Sequence, residues 1–270
     1  MRNAATIIVP LLRQRDEWLS QCLGSAVRQT VPCEVLVVVS HRTPASNLRT
    51  VSRVRSKAGN LTVLRQEREG FPAAINTGIH AAACGRVGLL LSDDWLEPGA
   101  AEECLKYSED IVSAGNTVYA ADGVTSLPLI KGIPSASKYD RLQTLESKAR
   151  YLSHFFLFQR AKLLEVGGLD ETLGNTSGID DYDLIWVLLE HGASVKVVET
   201  SLYNYRDHDG ERLTLADPAE IAETTRRILR KHRMPEVELE QRLAKSARWF
   251  GRPIQDVLRA AGMDPSKSGD

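Results

Sequence analysis

Cysteine is scarce in this chain: four of its 270 residues are cysteines, and no two of them stand at CxxC or CxH spacing. The absence of such pairs excludes a zinc site of the sulfur-rich kind. Three of the four sit among apolar neighbours in the sequence. We therefore expect buried free thiols in a reducing compartment.

Charge imbalance and long hydrophobic runs are missing as well. The 34 basic and 35 acidic residues leave a net charge of −1, which gives no overall field to attract nucleic acid or an anionic membrane. The longest apolar runs, Val35–Val39 and Val87–Leu91, are far shorter than the roughly 20 residues of a membrane span. The opening Met1–Asn3 leads into no signal-peptide pattern. We expect a soluble, cytoplasmic protein, with a peripheral membrane role left open.

The first hundred residues alternate between strand and helix signals. Trp18 to Val27 carries an apolar stripe at helical spacing, and Pro72 to Ala83 predicts a second helix. Short apolar, β-branched runs predict strands at Thr6–Pro10, Val35–Val39, Leu61–Leu64 and Val87–Leu91. This alternation predicts an α/β fold, with a mostly parallel central sheet and helices on both faces.

Polar segments follow three of these strands directly. In an open parallel sheet, ligands bind beyond the carboxyl ends of the strands. Here those ends are Pro10–Arg13, Ser40–Thr43 and Ser92–Asp94. The sequence therefore predicts that a ligand site lies at this edge of the sheet.

The second half of the chain is less regular. From Asp217 the pattern is helix, break at Pro235, helix, break at Gly251–Pro253, helix, which predicts a C-terminal helical appendage. Before it we predict a strand within Asp110–Ala121, a loop over Leu127–Ser137, a helix over Tyr139–Arg150, a strand near Leu152–Phe158, a helix over Asp180–Glu190 and a strand at Val195–Val198.

Asp93 and Asp94 stand at the predicted end of a strand, just before Pro98. In a structural interpretation they cap the helix that begins near this proline. In a functional interpretation the two carboxylates hold Mg²⁺ or Mn²⁺, which in turn holds the oxygens of a diphosphate. The pair alone leaves both interpretations open.

A second acidic cluster, formed by Asp180, Asp181 and Asp183, begins a predicted helix. The helix dipole favours carboxylates there and would explain them without any chemistry. Clustered carboxylates also raise one another's proton affinity, so one of them can serve as a general base. His208, alone in a polar stretch, is either an exposed side chain or a neutral imidazole that completes a metal site.

Taken together, six segments between residues 5 and 212 resemble glycosyltransferase family 2, a family of inverting enzymes with the GT-A fold. Each motif alone is weak, whereas six in this order are specific. The segments are Ile7–Pro10 with Ser25–Thr30, Glu34–Val39, Gly70–Ile79, Leu91–Pro98, Gly167–Glu171 and Asp180–Leu184.

The resemblance implies metal-dependent transfer of a sugar from a nucleotide-sugar donor to an acceptor hydroxyl. It implies Asp181 as the general base, with Asp180 and Gly168 on the acceptor side. It implies Mn²⁺ or Mg²⁺ bound at Asp94, with Asp93 and His208. The implied donor-binding residues are Pro10, Leu11, Leu12, Ser40, Asn76 and Asp93.

Three positions depart from the family pattern. Ser40 stands where the family commonly has an aspartate that reads the nucleotide base, so the resemblance does not identify the base. Leu91 takes the place of the first acid of the DxD motif, and Ile75 takes the place of an arginine.

The resemblance also implies a division of the chain. Residues 1–212 would form the GT-A domain, with a nucleotide-binding half (1–98) and an acceptor half (99–212). Residues 213–270 would form the helical appendage, through which the chain could assemble into homo-oligomers. The acceptor stays open among glycans, lipid-linked sugars, natural products, proteins and modified nucleic acids.

Two alternative functions stay open at this point. One is a nucleotidyltransferase on a similar sheet, although no glycine-rich triphosphate loop follows the first strand. The other is a catalytically inactive module that binds a sugar nucleotide, although both acidic pairs are retained.

Overall fold

A computed structural model of the chain describes residues 4–127, 133–173, 179–210 and 215–262. The strands are β1 (Ala5–Leu11), β2 (Cys33–Val39), β3 (Leu61–Arg65), β4 (Arg86–Leu89), β5 (Trp95–Leu96), β6 (Ile111–Tyr119), β7 (Phe156–Gln159) and β8 (Val195–Arg206). The helices are α1 (Asp16–Val27), α2 (Ala45–Ala58), α3 (Phe71–Ala81), α4 (Ala100–Cys104), α5 (Ala136–Asp140), α6 (Leu145–Tyr151), α7 (Arg160–Glu165), α8 (Asp180–Glu190), α9 (Pro218–Lys231), α10 (Glu236–Ser246) and α11 (Ile254–Ala260).

All the described strands join one sheet in the order β3-β2-β1-β4-β7-β6-β8-β5. The pairs β3–β2, β2–β1 and β1–β4 are parallel, and so is β6–β8. Strand β7 runs antiparallel to both of its neighbours, and β5 runs antiparallel to β8. The predicted α/β class and mostly parallel sheet are therefore confirmed, and the antiparallel pairs lie in the second half. The strand order reverses beside β1, where open α/β sheets form their ligand crevice.

Both faces of the sheet are covered, because successive side chains of a buried strand point to opposite sides. Ile7 and Val9 of β1 pack in one cluster with Leu19 of α1. Ile8, between them in sequence, packs in a second cluster with Ile75 of α3 and Leu184 of α8. This arrangement explains why β1 and β2 are continuous apolar runs rather than alternating ones.

The C-terminal helices share the core of the sheet. Leu229 of α9 and Leu239 and Leu243 of α10 belong to the same hydrophobic cluster as Leu184 of α8. Helix α9 begins where predicted, because the Asp217 carboxylate accepts the Ala219 N–H at 2.7 Å. The boundary between residues 212 and 213, and assembly through these helices, stay predictions.

Three sequence predictions need correction. Helix α2 was not anticipated: of its fourteen residues only Asn47, Thr50 and Val51 are buried, and Leu48 and Val54 pack partly buried against the cluster that contains Leu19. The single helix expected over Tyr139–Arg150 is two helices, α5 and α6. The second starts afresh because the Thr144 hydroxyl accepts the Ser147 N–H at 3.1 Å.

The third correction concerns the strands of the second half. Strand β8 extends to Arg206, well beyond the predicted Val198, and β7 begins only at Phe156. Helix α8 has the bounds that the sequence predicts. Of the predicted loop over Leu127–Ser137, residues 128–132 lie outside the described part of the chain.

Two expectations about composition can be compared with the described residues. Cys22, Cys33 and Cys104 are buried free thiols, and Cys84 is half-buried and also free. None of the described helices combines the length and the apolar character that crossing a bilayer demands.

Candidate active site

The carboxyl ends of β1 and β2 are tied to each other by the turn after β2. The Thr43 hydroxyl donates to the Leu11 carbonyl at 2.9 Å, and the Ser40 N–H bonds the Thr43 hydroxyl at 3.0 Å. Of the three residues predicted to hold the donor here, Pro10 and Leu11 are buried in the strand, while Leu12 is 44% exposed. Leu12 is thus the one of the three whose side chain faces solvent.

A carboxylate stands at the end of β2 although Ser40 replaces the expected aspartate. The Ser40 hydroxyl donates to the Glu69 carboxylate at 3.1 Å, with His41 Nδ1 at 2.7 Å and an Arg42 guanidinium nitrogen at 3.0 Å. Desolvation acts to raise the pKa of the Glu69 carboxyl, but these partners outweigh it and hold the pKa below its ordinary value. Sequence reasoning missed Glu69, because it lies in the loop after β3.

Asp94, at the tip beyond β4, is held inside the protein. Its side chain is 1% exposed. One carboxylate oxygen accepts the Tyr203 hydroxyl at 2.7 Å, and the other accepts the Arg206 backbone N–H at 2.7 Å. Burial, with the Asp94 charge next in size, raises the pKa of Tyr203 well above its ordinary value. Asp94 therefore ties the β4 tip to β8.

Asp93 takes a different position. Its side chain is 16% exposed, and its Oδ2 lies 3.1 Å from Nε2 of the buried His208. The other ring nitrogen of His208 accepts the Gly210 N–H at 3.1 Å, so the proton of a neutral ring is on Nε2 and points at Asp93. The structure thus brings Asp93 and His208 together, as the resemblance implies.

A buried arginine, Arg206, lies beside Asp93 and His208. The guanidinium of Arg206 lies 4.9 Å from the ring centroid of Trp18 and 4.8 Å from that of Trp95. It donates to the Asp93 carbonyl at 3.0 Å and to the Ala121 carbonyl at 2.9 Å. The Trp18 ring also packs against His208, with centroids 4.6 Å apart. These contacts fix the backbone of Asp93.

The three carboxylates at the start of α8 have three different environments. Asp180 is 3% exposed, and among the described residues its Oδ2 has no hydrogen-bond partner. Burial, followed by the charge of Asp181, raises the pKa of Asp180 to about 7. Asp183 is buried against the end of α9, with Lys231 Nζ at 2.7 Å and His232 Nε2 at 3.0 Å.

Asp181 is the most accessible of the three, with 30% of its side chain exposed. Its Oδ1 accepts the Tyr182 N–H at 2.9 Å, and its Oδ2 lies 3.2 Å from Nε2 of His154. No sequence motif pointed to His154, which is an isolated histidine before β7.

His154 and Tyr203 connect the two acidic pairs. The two rings stack with centroids 5.2 Å apart and planes 27° apart. Tyr203 donates its hydroxyl to Asp94, and His154 contacts Asp181. The strand tip that carries Asp93 and Asp94 and the helix start that carries Asp181 are therefore two sides of one site.

Asn76 and Gly168 form a clamp beside this site. The Asn76 amide donates to the Leu169 carbonyl at 2.9 Å and accepts the Leu169 N–H at 2.8 Å. Gly168 has φ +75°, and a Cβ there would lie 2.2 Å from Asn76 Oδ1, so this position requires glycine. A donor contact by Asn76 and an acceptor contact by Gly168 stay predictions.

A cavity of about 460 Å³ opens next to the clamp. Asn76 and Gly168 line it together with Arg68 and Lys231, whose charges face Glu171 and Asp170. Its described walls include neither Asp93 nor Asp181. The cavity is therefore separate from the space between the Asp93 and Asp181 carboxylates.

Residues 6–168 match the family described as Glycosyl transferase family 2. The chain belongs to this family. The family 2 segment contains Asp93 and His154, whereas Asp181 and His208 lie beyond it. Membership places residues 6–168 in a family of glycosyl transferases.

Two sequence relatives are named for sugar transfer or for O-antigen biosynthesis. This family 2 chain is 25% identical over 215 residues to the glycosyltransferase-named protein EpsH of Bacillus subtilis (strain 168), which covers 77% of this chain and 62% of the relative. It is 27% identical over 213 residues to the O-antigen biosynthesis protein RfbC of Myxococcus xanthus, which covers 76% of this chain and 16% of the relative. The chain thus spans less than two thirds of the length of these relatives.

Solved structures support the fold. S. aureus TarS 1-349 superimposes with a TM-score of 0.61 at 19% identity, over 91% of this chain and 71% of that one. The same protein in complex with UDP-GlcNAc gives a TM-score of 0.62, over 91% and 72% of the two chains. The GT-A fold predicted from the sequence is confirmed.

Proposed function

We propose that this protein transfers a sugar from a nucleotide-sugar donor to an acceptor hydroxyl in one inverting step, with Asp181 as general base. The observation that carries the proposal is the contact chain Asp94–Tyr203–His154–Asp181, which joins the two acidic pairs across one site. The complexes of TarS with UDP and with UDP-GlcNAc support a nucleotide-sugar donor for this fold.

The step needs a base on one side of the sugar and a leaving diphosphate on the other. As the acceptor oxygen forms its bond to the anomeric carbon, the bond from that carbon to the diphosphate oxygen breaks. The acceptor's proton passes to the Asp181 carboxylate, and a nucleoside diphosphate leaves. Attack from the face opposite the leaving group inverts the anomeric centre. A positioned base of this kind contributes about 10²–10⁴ in rate.

A divalent cation, Mn²⁺ or Mg²⁺, fits the side chains at the strand tip. Asp93 and His208 are ligand types that such ions accept, and they already lie within 3.1 Å of each other. Within the described ranges no three His, Cys, Asp or Glu side chains cluster as a metal site, so diphosphate oxygens and water would complete the shell. When bound, the ion offsets the charge that develops on the diphosphate.

The geometry favours Asp93 over Asp94 as the first ligand. Asp93 is partly exposed and faces His208, whereas both oxygens of Asp94 already accept hydrogen bonds. We therefore propose that Asp94 supports the metal site by holding Tyr203 and Arg206. For His208 to act as a ligand, the proton on Nε2 must leave that nitrogen, which requires the Gly210 N–H to release Nδ1.

Binding of nucleotides tests the proposal before an acceptor is known. Thermal-shift measurements would compare nucleoside diphosphates, nucleoside triphosphates and nucleotide sugars, each in Mn²⁺ and in EDTA. We expect a nucleoside diphosphate to raise the Tm in Mn²⁺, because a ligand that binds only the native state stabilises it. We expect the rise to shrink in EDTA and in Asp93→Ala, but to persist in Asp140→Asn, a change on exposed α5.

A different outcome would separate the proposal from its rivals. Stabilisation by triphosphates alone would favour a nucleotidyltransferase. Binding of a nucleotide sugar without release of nucleoside diphosphate, for any acceptor offered, would favour an inactive binding module. The absence of any nucleotide effect would contradict the proposal. Cytoplasmic localisation also stays a prediction.

A further inference from the structure

His154 is held in place before any ligand binds. The Ser113 hydroxyl of β6 donates to the Ser153 carbonyl at 2.8 Å and accepts the Ser153 N–H at 3.2 Å. On the other side, the Phe155 carbonyl accepts the Ala114 N–H at 2.8 Å. The backbone on both sides of His154 is thus bonded to β6, which lies between β7 and β8 in the sheet.

The His154 ring is also fixed. It stacks on Tyr203, and its edge meets Phe156 with centroids 4.9 Å apart and planes 64° apart. In this orientation the Nε2 atom of the ring points toward Asp181, whose Oδ2 lies 3.2 Å away. Rigid support of this kind is what keeps a functional group in its working geometry.

The other ring nitrogen is left without a hydrogen bond. His154 Nδ1 is buried and has no partner among the described residues. A buried polar atom without a partner costs about 1–3 kcal/mol, and its presence in a native structure requires an explanation. A neutral ring with its proton on Nε2 leaves Nδ1 as the unpaired atom while keeping the N–H directed at Asp181. The unpaired Nδ1 is thus a consequence of the contact that Nε2 makes with Asp181.

We propose that His154 is a positioning residue for Asp181, which it holds as an ionised, correctly turned carboxylate by donating its Nε2–H. This inference rests on the proposed role of Asp181 as general base. Oδ1 of Asp181 is bonded to its own helix through Tyr182, so the His154 bond at Oδ2 fixes the carboxylate plane. Asp180, next in sequence, is a further titratable group that interacts electrostatically with Asp181.

Two substitutions separate the donor from the ring. His154→Phe keeps a ring against Tyr203 but removes the N–H, and His154→Gln keeps an N–H donor near the position of Nε2. An N–H donor favours the charged form of a carboxylate. We therefore expect His154→Phe to move the acid limb of the pH–turnover profile to higher pH and to lower turnover by about 10–100-fold.

The same variants show what a merely structural role would do. We expect His154→Gln to restore the acid limb and most of the turnover, with nucleotide binding unchanged in both variants. A loss of turnover in His154→Phe without any shift of the acid limb, or without rescue by glutamine, would overturn the inference. In an Asp181→Asn background, His154→Phe should add no further loss, because the two changes remove one shared function.

The inference and the proposed function fail in different ways. If Asp181→Asn turned over normally, the proposed general base would be wrong. If Asp181→Asn lost turnover while His154→Phe did not, only the inference would fail.

A measurement without substrate completes the test. Nuclear magnetic resonance of ¹⁵N-histidine protein should show one His154 ring nitrogen protonated and the other bare, and His154→Gln identifies the signal among six histidines. We expect Asp181→Ala to release this single tautomer, while an identical His154 signal in Asp181→Ala would contradict the contact.

Discussion

Two pairs of neighbouring aspartates lie at this site: Asp93 with Asp94, and Asp180 with Asp181. The two pairs share one arrangement but differ in the chemical surroundings of their buried members. In each pair one member is buried, Asp94 at 1% and Asp180 at 3% exposure, and the other lies beside a histidine. Asp94 receives hydrogen bonds at both oxygens, whereas Asp180 has an oxygen without a partner among the described residues. The two buried carboxylates therefore differ in how completely their oxygens are hydrogen-bonded.

The difference shows how the surroundings of a buried carboxylate favour either its ionised form or its protonated form. Donors aimed at a buried carboxylate favour its ionised form, and their absence favours the neutral acid. Asp94 is surrounded by donors from β8 and acts as a structural anchor. Asp180 has one carboxylate oxygen without such a donor among the described residues, and its pKa rises to about 7 because of burial and the nearby charge of Asp181. We propose that the accessible partners serve the reaction, Asp93 in ligand binding and Asp181 in proton transfer.

The largest expected effect comes from the accessible member at the helix. Asp181→Asn keeps the shape of the side chain and removes its basicity, so turnover should fall by about 10²–10⁴. Nucleotide affinity should stay within a few-fold of the unmodified protein, since the base faces the acceptor. Steady-state kinetics and calorimetry measure the two quantities, with Asp140→Asn as the control on exposed α5. Equal losses in turnover for Asp180→Asn and Asp181→Asn would break the comparison.

The buried member at the strand tip should matter for stability. Asp94→Ala leaves the Tyr203 hydroxyl and the Arg206 N–H without their acceptor, and each buried donor left unpaired costs about 1–3 kcal/mol. Asp93→Ala leaves one buried donor, the His208 Nε2–H, without its acceptor, whereas Asp94→Ala leaves two, so Asp93→Ala should cost less. Urea unfolding of the two variants distinguishes them. A larger loss for Asp93→Ala would contradict the assigned roles.

The buried member at the helix should make stability depend on pH. The folded protein holds the Asp180 proton up to about pH 7, while the unfolded chain releases it near 3.8. Between these values the folded state binds more protons, so this group's contribution to stability is present at low pH and is lost as the pH rises. Because asparagine does not titrate, the Asp180→Asn variant should not lose this stability as the pH rises.

The measurement follows the Tm of both proteins between pH 5 and pH 8. We expect the Tm of Asp180→Asn to rise relative to the unmodified protein by several degrees over this range. A difference that stays constant with pH would show that Asp180 is ionised throughout. The Asp181→Asn variant serves as the reference, because it removes one of the charges that raise the pKa of Asp180.

The smallest effect concerns the accessible member at the strand tip. In Mn²⁺ we expect Asp93→Asn to weaken nucleoside diphosphate binding by about tenfold, which corresponds to about 1.4 kcal/mol. In EDTA the variant and the unmodified protein should bind equally weakly. Calorimetry in both conditions makes the comparison, and an equal loss in EDTA would remove the metal from the explanation.

The elements that the sequence predicted are those whose information is local. Strands β1 to β4 are short apolar runs, and α8 carries both an acidic start and an apolar face. Helix α2 escaped prediction because its buried positions include polar Asn47 and Thr50, which bond Asp16 and the loop before α1. Local patterns contain no trace of such a polar interface.

The division of labour within each acidic pair could not be predicted either. Asp94 depends on Tyr203, which lies 109 residues away in the chain, and Asp93 depends on His208 at a separation of 115 residues. In the sequence, the site was indicated by its aspartates and by their positions at the end of a strand and at the start of a helix. Which carboxylate each terminus buries is decided by β7 and β8, whose side chains reach it only after folding.

The attachment of the C-terminal helices has a consequence for how the molecule can open. Both carboxylate oxygens of Asp207 accept backbone N–H groups of α11, from Ile254 and Gln255, each at 3.0 Å. Asp183 of α8 is likewise paired with Lys231 and His232. Detaching either helix would strand a buried carboxylate next to Asp181 or His208. We therefore expect local unfolding of α9 or α11 to disturb the surroundings of Asp181 or His208 directly, without passing through the sheet.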